Sequence, residues 1–83
     1  MKHASAATLK RYASLLAELR VLPGLKEKAP GRFYRGSTAF LHFHEDPAGL
    51  FADIKVDGDW SRRAVKSKTA QASLVRDARR LLV

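Results

Sequence analysis

The sequence predicts a single α+β domain over residues 1–83, ordered α-β-β-β-α: a three-stranded antiparallel sheet with helices on one face. Three observations carry this. A helical apolar stripe opens the chain, an alternating segment fills its middle, and a second helical stripe closes it.

The first helix is read over Ser5 to Leu22. Leu9, Tyr12, Ala13, Leu16 and Leu19 recur at helical spacing, and Leu15 and Leu22 widen the stripe. Ser5 or Thr8 suits its N-cap, and Pro23-Gly24 ends it. Leu25 to Ser37 reads as a connection rich in Lys, Arg, Gly and Pro, with room for a short strand through Phe33-Tyr34. In the next segment Leu41 and Phe43 point one way, and Phe40, His42 and His44 the other. On the return strand Leu50, Ala52, Ile54 and Val56 share the face expected to pack on the helices. Phe51, Asp53 and Lys55 share the opposite face. Pairing Glu45 with Leu50 leaves Asp46-Pro47-Ala48-Gly49 as the loop.

Asp57-Gly58 favours a type I′ turn into a third strand from Trp60 to about Lys66. Two registers stand open there. A two-residue turn sends Val65 to the core; a three-residue turn sends Trp60 there. Ser67 or Thr69 caps a final helix, whose stripe is Ala70, Leu74, Val75, Ala78, Leu81 and Leu82.

Hydrophobic residues make up 46% of the chain, enough for a globule. The absence of cysteine excludes disulfides and thiolate metal sites and is compatible with a reducing cytoplasm. The opening residues lack the apolar run of a signal peptide, and no segment has the length of a membrane span. The expectation is a cytoplasmic domain without a membrane partner. Net charge is +8, and it is polarised: residues 1–35 and 60–83 are basic, and residues 36–59 are acidic. A basic surface concentrates polyanions. The same charge also serves solubility alone.

The stretch FLHFHEDPAGLFAD at residues 40–53, with LPGL at 22–25 and FYRG at 33–36, resembles a group of short bacterial domains of unknown function. That resemblance covers most of the chain and implies a compact cytoplasmic domain. The helix followed by Leu22-Pro23-Gly24 also resembles the beginning of MmcQ/YjbR-like proteins, which implies an α+β fold and no functional residue.

Four candidate sites emerge. His42 and His44 project from one strand face, and Asp53 lies opposite His42 in the Glu45–Leu50 register. Two imidazoles and a carboxylate suit Zn²⁺ or Fe²⁺. The alternative is a solvated face with Asp53 paired across to Arg62. Acid–base chemistry by His42 with Asp53 lacks a Ser or Cys nucleophile and room for a substrate pocket, so no enzyme, catalytic residue or cofactor is expected.

Phe40 and Phe51, rimmed by His42 and His44, form an apolar interaction face. It is open to a second copy, to the Leu25–Ser37 segment or to stacked bases. The basic residues are Lys26, Lys28, Arg32 and Arg35 in the connection, Arg62, Arg63, Lys66 and Lys68 after the third strand begins, and Arg76, Arg79 and Arg80 on the last helix. No helix-turn-helix, zinc finger or KH loop is present, so they would follow backbone and shape. The leading expectation is a non-enzymatic module for an anionic partner, nucleic acid foremost. The runner-up is a homodimeric or protein-partner module using the Phe40/Phe51 face. The third is a small metal-dependent enzyme using His42, His44 and Asp53.

Overall fold

The structure, a computed structural model, describes residues 2–83. Its elements run β1 (Lys2–His3), α1 (Ala6–Arg11), α2 (Ala13–Arg20), β2 (Leu25–Ala29), β3 (Arg32–Arg35), β4 (Thr38–Asp46), β5 (Gly49–Val56), β6 (Asp59–Ala64) and α3 (Lys68–Leu82). The class is α+β, but among the described residues the sheet has six antiparallel strands in place of the expected three. Strands β2 to β6 lie side by side in chain order, and β1 pairs with the outer half of β4. The expected α-β-β-β-α order is therefore wrong. The connection at residues 25–37 is itself a hairpin, β2–β3, and the chain begins with a two-residue strand.

The expected first helix is two helices, broken at Tyr12, whose φ of −111° and ψ of 28° leave the helical region. Ser5 caps α1 by accepting the Thr8 N–H at 3.2 Å. Glu45 of β4 accepts from the Ser5 N–H and from Thr8 Oγ1, which fastens α1 to the sheet. Glu27 of β2 does the same for α2: it accepts from Arg20 Nε at 2.6 Å and from the Gly31 N–H at 3.0 Å. These two carboxylates sit on the helix side of the sheet, and each is satisfied there.

The core gathers Leu9, Leu15, Leu16 and Leu19 from the first helices and Leu74, Val75 and Ala78 from α3. They meet Phe33, Leu41, Phe43, Leu50, Ala52 and Ile54 from the sheet. Each large side chain fully buried there contributes about 1.5–3 kcal/mol of transfer free energy. All three helices send their buried residues into this one core, so they cover one face of the sheet. Ser67, not Thr69, caps α3 by accepting the Ala70 N–H at 3.0 Å. Among the described residues, no helix is long and apolar enough to cross a membrane.

Two turns set the registers that matter. Glu45 pairs with Leu50 as expected, and pairing continues to Asp46 opposite Gly49, so the turn tightens to Pro47-Ala48. Asp46 Oδ1 accepts the Ala48 N–H at 2.8 Å across it. Asp57 and Gly58 both take positive φ, 51° and 86°, and join Val56 directly to Asp59. This two-residue register buries Val65 and leaves Trp60 on the far face.

Phe40 departs from expectation. Phe33 pairs with Leu41 while Tyr34 pairs with Ala39, so Phe40 is an inserted, bulged residue. The bulge turns its ring into the core, where it is 5% exposed. Phe40 and Leu41 are thus buried together, which simple alternation forbids.

Candidate functional site

The sheet face turned away from the helices collects most of the chemistry. Cross-strand pairing lines up Arg32, His42, Asp53 and Arg62 in one row. A second row holds His3, His44, Phe51 and Ala64. Lys55 lies opposite Trp60, and Lys26 opposite Tyr34. Side chains in directly opposed positions share a face, so all of these project from the open side.

Several rings lie close together. His3 stacks on His44 with centroids 4.7 Å apart and planes at 27°. His42 lies 4.9 Å from the Trp60 ring and 6.3 Å from Tyr34. Two ammonium groups cover rings on this face: Lys28 Nζ is 4.9 Å from the Tyr34 centroid, and Lys55 Nζ is 4.7 Å from that of Trp60. Trp60, a large aromatic, is still 44% exposed.

The carboxylate of this face is already engaged. Arg62 grips Asp53 in a two-pronged pair, Nε to Oδ1 at 2.7 Å and Nη2 to Oδ2 at 2.8 Å. His44 Nε2 is 3.3 Å from the same Oδ2. The hydrogen bonds from Arg62 are the main reason the Asp53 carboxyl is held below its usual range. Burial lowers both imidazoles. For His42, the neighbouring His44, His3 and Arg32 push further down and Asp53 only partly offsets them. For His44, Asp53 opposes the burial while His3 and Arg62 reinforce it. Both rings are therefore neutral at neutral pH. His42 Nε2 is shut off from solvent and has no hydrogen-bond partner among the described residues.

His42, His44 and Asp53 do share a face, with Asp53 opposite His42 and paired to Arg62 as the sequence suggested. A metal centre does not follow. Among the described residues no three His, Asp or Glu side chains are arranged to hold a metal ion. Both Asp53 oxygens are committed to a guanidinium.

Phe51 is half-buried on the open face, whereas Phe40 is not on that face at all, so the expected Phe40/Phe51 patch does not exist. The basic residues divide between two sides. Lys26, Lys28, Arg32 and Arg62 belong to the open face. Arg63 points to the helix side and pairs with Asp77 of α3 at 2.8 Å. Arg35 donates to the Leu81 carbonyl near the C-terminus of α3 at 3.2 Å. Lys66 and Lys68 flank the start of α3, and Arg76, Arg79 and Arg80 are exposed along it. The eleven basic candidates therefore do not form one surface.

Sequence reasoning missed three members of the open face: His3, Tyr34 and Trp60. The Asp57-Gly58 turn held the signal for Trp60, since a two-residue turn leaves it beside Lys55 on that side. Concavities lie elsewhere. A cleft of about 320 Å³ opens between Arg35, Phe40, Lys55 and Leu81, and another of about 230 Å³ between α1 and the β4–β5 turn. The open face is a platform, suited to an extended partner more than to an enclosed small molecule.

Comparison with protein families, with curated proteins and with solved structures finds no match for the chain.

Proposed function

We propose that this chain is a cytoplasmic, non-enzymatic module that binds an anionic polymer, nucleic acid foremost, on its open sheet face. One observation carries the reading. Lys26, Lys28, Arg32, Lys55 and Arg62 share a face with Asp53 and Asp46, and both of those carboxylates are engaged within the chain. The surplus of positive charge attracts a polyanion and raises its rate of encounter. The burial of Phe40 removes half of the apolar patch on which a dimer reading rested.

The test compares two sets of substitutions. Lys26, Lys28, Arg32 and Lys55 changed together to Gln should weaken binding of heparin and of random-sequence nucleic acid. This set leaves the Arg62–Asp53 pair intact. Arg76, Arg79 and Arg80 changed to Gln should leave binding nearly unchanged. Equal loss from both sets, or loss from the α3 set alone, contradicts the open face as the binding surface. Salt-sensitive dimerisation in sedimentation, with no polyanion bound, transfers the reading to self-association.

A further inference from the structure

Resting on the reading of the open face as an anion surface, we propose that Tyr34, His42 and Trp60 form a base-stacking platform for a single-stranded nucleic acid. The three rings form a lane across the sheet from β3 through β4 to β6, with centroid spacings of 6.3 and 4.9 Å. Charge complementarity selects a polyanion for this face, and the rings select one whose bases are free. In a duplex the base faces are already stacked on one another. Among the described residues, no helix projects from this side of the sheet to enter a major groove.

The lysines strengthen the argument. Lys28 lies over Tyr34 and Lys55 over Trp60, each at the position a base would take. An exposed ammonium–ring contact is weaker than a stacked base, so a base displaces it. The displaced ammonium is then free, on the same face, to meet a phosphate. The orphaned Nε2 of His42 is the third observation. That nitrogen belongs to the central ring of the lane, and a base edge offers it the hydrogen-bond partner that the described residues do not. Because His42 is neutral, its ring can join the lane without a charge.

Trp60 is the chain's one tryptophan, so its fluorescence reports this site alone. The experiment titrates the whole chain with twelve-residue oligo-dT, with a duplex of the same length and with heparin, at low salt. Affinities are read by anisotropy of labelled ligand and stacking by Trp60 emission. Oligo-dT should quench Trp60 strongly and bind more tightly than the duplex. Heparin, which has no bases, should bind without that quenching.

Trp60→Ala and Tyr34→Ala should each weaken oligo-dT binding roughly ten-fold, within the range for loss of one stacked base, and leave heparin binding unchanged. Trp60→Phe should recover most of the loss. Neither Tyr34 nor Trp60 belongs to the core, so these variants should retain cooperative thermal unfolding. If oligo-dT, duplex and heparin bind alike with unquenched Trp60, stacking is wrong and the anion surface survives. If none of them binds, both readings fall.

Discussion

Burial makes His42 and His44 harder to protonate in the folded chain than in the unfolded one. Between the ordinary imidazole value of about 6.5 and the lowered folded values, the unfolded chain binds more protons. Stability is therefore full above about pH 6.5 and is lost as pH falls toward and through the folded-state values. Asp53 adds a more acidic window. Its folded value is lowered by Arg62, so its contribution holds above the usual carboxylate value and disappears as pH falls through the folded one. Urea midpoints should drop between about pH 7 and pH 5, and His42→Phe should make that slope shallower. A flat wild-type profile over that range contradicts the burial of the imidazoles. Gly31 offers a second test at this scale. It takes φ +72°, and a Cβ there would sit 3.1 Å from Leu9 Cδ2. Gly58 takes φ +86° with open space around it. The backbone penalty of about 1–2 kcal/mol applies at both positions, but only Gly31→Ala also crowds the core. Chemical denaturation should rank Gly31→Ala as clearly more destabilising than Gly58→Ala.

The elements differ in how plainly the chain announces them. α3 is legible because its apolar stripe is regular and Ser67 precedes it. The β4–β5–β6 run is legible because alternation and the Asp57-Gly58 turn agree, and together they place Asp53 between His42 and Arg62. β2 and β3 are hidden because Lys26 and Lys28 lie on the open side and Glu27 points inward. An inward carboxylate looks like loop until Arg20 and the Gly31 N–H are known to satisfy it, and that is tertiary information. The Phe40 bulge leaves no local mark either: Ala39-Phe40-Leu41 reads equally well as regular strand. β1 is two residues long and exists only through its pairing with β4, so His3 was invisible as a member of the histidine cluster. The choice of cap on α3, open in the sequence, yields a direct prediction. Ser67→Ala should cost about 1 kcal/mol, because Ser67 accepts the Ala70 N–H. Thr69→Ala should be close to neutral in the same denaturation experiment.

At the scale of the whole molecule, the net charge of +8 is spread over two sides of the sheet, and salt dependence can tell how many of those charges a ligand meets. The helix side already uses Arg63 against Asp77 and Arg35 against the end of α3. Among the described residues, the open side holds Lys26, Lys28, Arg32 and Lys55 without carboxylate partners, and Arg62 is held by Asp53. For a single strand, each neutralised phosphate adds about −0.7 to the slope of log affinity against log salt. Contact through the open face alone then gives a slope of about −3. A ligand wrapping round to Arg76, Arg79 and Arg80 as well gives about −5. The shallower value should survive substitution of the three α3 arginines and should fall toward zero when the four open-face cations become Gln. A slope near about −5 that the α3 substitutions reduce to about −3 would mean that the polyanion wraps from the open face onto the helix layer. A slope that the α3 substitutions abolish and the open-face substitutions leave unchanged would put the polyanion on the helix layer alone, with the sheet between it and the aromatic lane.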